Sequence, residues 1–206
     1  MLLELPPELI NPILTSLRVK DLKNLSLCSK QCNRLVAQTL WKNVKVSTRR
    51  LHASRSVPNH IAFSRNLCIF HNGYSSLLSR FIKKKEQNFT KKLVALLKLS
   101  SLTTLRLFGL KEVSIVTLCL ATISEQTGLK NLIVRGCHIN AGLEHIGRLT
   151  GLVNLDISRN GKISDAGLEH LRCLTGLKKL NVRMCNISDA GLEQIGRLTG
   201  LVIITS

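Results

Sequence analysis

Residues 162–177 read KISDAGLEHLRCLTGL, residues 186–201 read NISDAGLEQIGRLTGL, and residues 139–152 keep a shorter version, INAGLEHIGRLTGL. Repetition this close limits the fold before any other feature is weighed. Each copy must pack on a copy of itself, so the structure grows along one axis. Aligned on their leucines, four segments match: LTTLRLFGLKEV (102–113), LKNLIVRGCHI (129–139), LVNLDISRNGKI (152–163) and LKKLNVRMCNI (177–187). LVIITS opens a fifth at 201, and successive starts lie 27, 23, 25 and 24 residues apart.

Within a copy, Leu177, Leu180 and Val182 place apolar side chains on one face of a short strand. Asn160, or Cys at 137 and 185, follows where the chain turns away from the sheet. A buried Asn can bond the backbone of neighbouring turns, and Cys can do so only weakly. SDAGLEHL then starts a helix, with Ser164 or Asp165 as N-cap, and Leu168, Leu171, Leu192 and Ile195 at inward spacing. Gly128, Gly151, Gly176 and Gly200 each follow a Thr, where a helix C-cap of positive φ is expected. This spacing resembles the leucine-rich repeat. One strand–turn–helix unit cannot bury its own apolar face, whereas a stack buries a continuous core and presents a concave parallel sheet.

The segment LPPELINPILTSLRVKDLKNLSLCSKQCNRLVAQTLWKNVKV (5–46) differs in kind. Pro6 and Pro7 suit a first helical turn, and Leu9, Ile13, Leu14 and Leu17 form a stripe at helical spacing. Asp21 caps a second helix carrying Leu22, Leu25 and Cys28, and SKQCNRLVAQTLW supplies a third. The run Leu5-Pro6, Glu8, Ile13-Leu14, Leu17, Asp21-Leu22, Leu25, Cys28-Ser29-Lys30, Asn33-Arg34-Leu35 and Leu40-Trp41 resembles the F-box motif in order. Two departures stand out: Pro12 inside the first helix, where it removes a backbone donor, and Cys32 where the family often has a large aromatic.

The resemblance implies a fold of class α+β: a three-helix F-box (1–46), a connector (47–59), an atypical first repeat (60–101) and a leucine-rich-repeat solenoid (102–206). It also implies a role as substrate-recognition subunit of an SCF-type ubiquitin ligase, without an active site of its own and without a cofactor. Leu5, Pro6, Ile13, Leu14, Leu17, Leu22, Leu25 and Trp41 would then meet a Skp-type adaptor, and through it a cullin–RING ligase. The adaptor's acidic character suits Arg18, Lys20, Lys23, Lys30 and Arg34. The concave face would hold the client protein, with Arg106, Phe108, Arg135, Asp156, Ser158, Arg159, Lys179 and Arg183 as its candidate contacts. The column Phe108, Arg135, Ser158, Arg183 is net basic, which points to an acidic or phosphorylated client segment.

Composition trims the alternatives. With 44% apolar and 3% aromatic residues, aliphatic side chains must build the core. The net charge of +18 admits nucleic acid, an anionic membrane or an acidic protein as partner. KKK at 83–85, with Arg80, Lys91 and Lys92, has little aromatic interleaving and reads as a solvated helix face before a nucleic-acid patch. The opening MLLELPPELI lacks a basic n-region, and no apolar stretch reaches 18 residues, so neither a signal peptide nor a membrane span is expected. Seven cysteines, an odd number without C-x-x-C pairs, read as reduced thiols in a cytosolic or nuclear protein of a eukaryotic cell, or of a host cell if a bacterium exports the chain. Cys28 with Cys32, and Cys68 with His71, fall short of the converging ligands a metal needs, so no metal is expected. The competing readings are a plain repeat scaffold whose N-terminal helices cap the solenoid, and a basic nucleic-acid-associated protein. The chain stops inside a strand pattern at LVIITS, as a fragment of a longer array does, or an array end that is exposed or partner-covered.

Overall fold

The computed structural model describes residues 43–47, 66–70, 90–91, 93–98, 102–110, 112–139 and 142–205. Their strands are β1 (Asn43–Ser47), β2 (Asn66–Phe70), β3 (Thr104–Phe108), β4 (Asn131–Arg135), β5 (Asn154–Asp156), β6 (Lys179–Asn181) and β7 (Val202–Ile204). All seven join one parallel sheet in chain order, each strand pairing with the next. That order is the signature of a solenoid, because every unit meets only its two neighbours. Between strands run α1 (Val113–Ile123), α2 (Leu143–Gly147), α3 (Asp165–Leu168), which continues as a 3-10 turn over Glu169–Cys173, and α4 (Asp189–Ile195). Helical backbone also occurs at 90–91 and 93–98.

Period-2 alternation gives the sheet its two faces. Leu105 and Leu107, Leu132 and Val134, Leu155 and Ile157, and Leu180 and Val182 all point inward and are buried. Helix leucines close over them: Leu93, Leu96, Leu97, Leu120, Leu143, Leu168 and Leu171 are buried, as is Ile195. Leu192 packs on the same core while partly exposed. A single continuous core results, each aliphatic side chain contributing on the order of 1.5–3 kcal/mol relative to exposure.

The turn after each strand is where the repeats interlock. Asn160, wholly buried, accepts from the Cys137 amide (2.7 Å) and donates to the carbonyls of Val134 and Ile157 (2.7 Å each). At the matching places, the Cys137 thiol reaches the Leu107 carbonyl at 3.6 Å and the Cys185 thiol reaches the Ile157 carbonyl at 3.2 Å. The helix starts interlock too. Ser188 caps α4 by accepting from the Gly191 amide, and it donates its own amide (2.8 Å) and hydroxyl to Asp165 of the preceding repeat. Ser164 holds the corresponding N-cap position of α3 without a side-chain capping bond.

Two expectations change. Of the four glycines read as left-handed C-caps, only Gly200 has positive φ (76°). Gly151 instead serves a close approach, since a Cβ there would sit 2.8 Å from the Thr127 carbonyl oxygen. The sheet also begins earlier than the sequence suggested. β1 starts at Asn43, inside the span given to the F-box (1–46), and ends at Ser47, the first residue of the span given to the connector (47–59). Its NVKVS carries two valines and no leucine, too little alternation to stand out. The segments expected to form three N-terminal helices, and the KKK segment, lie outside the described residues.

Candidate partner-binding face

The outward strand positions fall into columns set by the register. One column starts each strand: Thr104, Asn131, Asn154, Lys179 and Val202 lie side by side. Its middle is a ladder of side-chain bonds, Asn154 donating to Asn131 (2.6 Å) and Asn131 to the Thr104 hydroxyl (3.2 Å). These amides are committed to one another and hold the sheet's edge of the face in register. The next column is Arg106, Ile133, Asp156, Asn181 and Ile204. Phe108 lies level with Arg135 in the third.

Asp156 organises the centre. Its carboxylate pairs with Arg135 on β4, and accepts from the Ser158 amide (3.0 Å) and the Asn181 side-chain amide (3.2 Å). Burial alone would raise the Asp156 carboxyl, but hydrogen bonds from Ser158 and Arg135, with the guanidinium's charge, outweigh it and bring the pKa below the usual carboxylate range. Asp156 therefore stays ionised and neutralises Arg135.

The eight sequence-derived contact candidates thus separate. Arg106 and Phe108 are half-buried on β3. Arg135 and Asp156 are occupied with each other. Ser158 is only 4% exposed, so its hydroxyl is turned to Asp156 instead of to solvent, a correction to its reading as a surface contact. Arg159, Lys179 and Arg183 are exposed, and with Arg106 they form no ion pair among the described residues. Five cations therefore share one carboxylate on this face and its rim, a field that favours an anionic partner. Beside these charges stand exposed apolar side chains, Met184 (70% exposed), Val202 (56%) and Ile204 (41%). Sequence reasoning missed Val202 and Ile204, whose strand-period spacing was legible and whose exposure was not. The adaptor candidates Leu5, Pro6, Ile13, Leu14, Leu17, Leu22, Leu25 and Trp41 lie outside the described residues.

Burial pushes Cys119 up to about 12 and Cys137 up to about 11, and it raises Cys185 as well, so these three are protonated near neutral pH. Among the described residues, no group of three or more His, Cys, Asp or Glu side chains could hold a metal ion, and no helix is long and apolar enough to cross a membrane. His145 and Glu144 on α2 pair with each other at 3.4 Å, away from the sheet face.

Residues 2–42 match the F-box domain family. No curated protein matches the chain. Among solved structures the chain is similar to an internalin C2 of Listeria monocytogenes (15% identity, 95% of this chain and 93% of that one, TM-score 0.42). It is also similar to an internalin (inlF) of the same organism (12% identity, 82% and 62%, TM-score 0.34). F-box domains in general bind Skp-type adaptors and act in ubiquitin-ligase assembly, and leucine-rich repeats in general are non-catalytic protein-interaction surfaces. The match ends at residue 42 and the sheet begins at Asn43, so a segment that matches the F-box domain is followed directly by a parallel solenoid of leucine-rich repeats.

Proposed function

We propose that this chain is the substrate receptor of an SCF-type ubiquitin ligase. The F-box docks a Skp-type adaptor through Leu5, Pro6, Ile13, Leu14, Leu17, Leu22, Leu25 and Trp41, and the concave face holds a client protein. The observation that carries this reading is the F-box match over residues 2–42, abutting a solenoid whose sheet offers an exposed, cation-rich face. The chain contributes no reacting group. It raises the effective concentration of client lysines near the ubiquitin-carrying enzyme, and the rate gain is one of proximity. The cationic surplus fits an acidic or phosphorylated client segment. The place of action is the cytoplasm or nucleus of a eukaryotic cell, where that machinery works.

Adaptor co-purification tests the reading. Wild-type chain is expected to retain a Skp-type adaptor through gel filtration. Leu14→Glu with Leu17→Glu is expected to lose it, because two carboxylates in an apolar interface cost several kcal/mol. Circular dichroism checks that the solenoid stays folded in the double variant. Adaptor retained by that variant defeats the proposed interface, and no adaptor on wild type defeats the receptor role.

A further inference from the structure

One place in successive repeats is held in left-handed backbone, and His138 (φ 50°) adds a second such residue in the repeat of β4. Gly109 (φ 65°), Gly136 (φ 62°), Arg159 (φ 59°) and Met184 (φ 56°) hold the same place, directly after the last outward residue of each strand. The amides of Gly109, Gly136 and Arg159 donate to the carbonyls of Arg135 (3.1 Å), Ser158 (3.2 Å) and Arg183 (2.8 Å) of the following repeat. These bonds hold the turn at 109, 136 and 159, whether the residue there is glycine or arginine. Glycine meets the demand without strain, and a Cβ built at Gly136 would touch nothing within 4 Å, so only the backbone is selective.

Arg159 and Met184 meet it with a side chain, against that preference. Among the described residues, neither side chain makes a hydrogen bond or an ion pair. Met184 is 70% exposed, and Arg159 is exposed with no ion pair among the described residues. Strained backbone of this kind is concentrated where side chains serve a ligand. Arg183, also exposed, lies between them, bonded through its carbonyl to Arg159 and adjacent in sequence to Met184.

We infer that Arg159, Arg183 and Met184 form a rim that grips an acidic polypeptide segment carrying a large apolar side chain, the arginines taking carboxylates and the thioether taking the apolar group. The assignment rests on the concave side being the client-binding side. Charge complementarity selects the partner, because the unpaired cations Arg106, Arg159, Lys179 and Arg183 lie on β3, β5 and β6 or the turns after them, a span of four adjacent strands. At about 4.8 Å per strand interval they span roughly 14 Å, a reach that suits a run of carboxylates better than one phosphate. Phe108 is the one aromatic residue among the described concave positions from β3 to β7, so the stacking platform of a single-stranded nucleic-acid site is missing from those positions.

The experiment uses the full chain as wild type, Arg159→Gly, Met184→Gly and the double variant. Each is titrated with a fluorescein-labelled twelve-residue Glu-rich peptide bearing a central Leu, its Glu→Gln control, its Leu→Ser control, a phosphoserine peptide and an oligonucleotide of equal charge. Glycine relieves the backbone, so the melting midpoint is expected to rise by about 2–4 °C per substitution. Affinity for the Glu/Leu peptide is expected to fall about tenfold per substitution. Arg159→Gly should reduce the discrimination against Gln, and Met184→Gly the discrimination against Ser. The inference is overturned by any of four results: unchanged affinity in the double variant, no wild-type preference for Glu over Gln, no rise in midpoint, or tighter binding of the phosphopeptide or the oligonucleotide. Adaptor co-purification on the same proteins reads the receptor role separately, so a failed rim with adaptor retained sinks only the rim.

Discussion

Replacing Asn160 with Ala tests what locks the repeats together. The side chain makes three short bonds in a fully buried site: one accepted from the Cys137 amide and two donated to the Val134 and Ile157 carbonyls. The Cys137 amide would lose its side-chain acceptor in a place water does not reach, at about 1–3 kcal/mol. The two carbonyls lose a donor each, at about 0.5–1.5 kcal/mol apiece, and Ile157 keeps the Cys185 thiol at 3.2 Å in partial compensation. The sum is about 2–6 kcal/mol, a large share of the roughly 5–15 kcal/mol by which domains are stable. At about 2–4 °C per kcal/mol for a chain of this size, the melting midpoint should fall by roughly 4–24 °C. Urea titration followed by circular dichroism measures it, with the denaturant slope showing whether unfolding stays two-state. Asn160→Cys, which installs the side chain present at 137 and 185, should recover part of the loss. Cys185→Ala should cost about 1 kcal/mol, because that half-buried thiol gives one weak bond. A wild-type midpoint in Asn160→Ala, or an equal cost in Cys185→Ala, would show that the interlock lies in the leucines alone.

Two further outcomes follow from the same geometry. Gly191→Ala would drive a methyl into the Asp165 carboxylate, breaking the clasp between Asp165 and Ser188. A loss of about 1–3 kcal/mol by urea titration is expected, and Asp165→Ala in the same chain should erase most of it. Asp156 has its folded pKa depressed, so its contribution is present above the unfolded value near 3.9 and is lost as pH falls through the lower folded value. Urea midpoints taken from about pH 5 downward should therefore fall less steeply in Asp156→Asn than in wild type; parallel curves would show that its bonds to Arg135, Ser158 and Asn181 do not favour the folded state.

The solenoid was legible because its cause is periodic. Leucines at fixed offsets report burial directly, and Leu105, Leu132, Leu155 and Leu180 fall where the spacing puts them. The Asn/Cys turn position was legible for a related reason, since a polar residue inside an apolar frame must have partners. What the sequence hid is set by surrounding residues instead of by the residue itself. Ser158 reads as an outward strand position, but Asp156, two residues earlier, draws it in. Gly128, Gly151 and Gly176 read as left-handed caps, while the left-handed column runs through 109, 136, 159 and 184. Only two of its four members are glycine, so the pattern cannot be seen by looking for glycine. At 109, 136 and 159 the conformation goes with amide-to-carbonyl bonds from one repeat to the next, and a side chain there is carried along at a cost in strain. A departure from the repeat's easiest residue then carries more information about function than the repeat itself. The leucines are interchangeable among copies because they serve the stack, whereas Arg159 and Met184 persist where glycine would stabilise the fold, and the stack has no use for either.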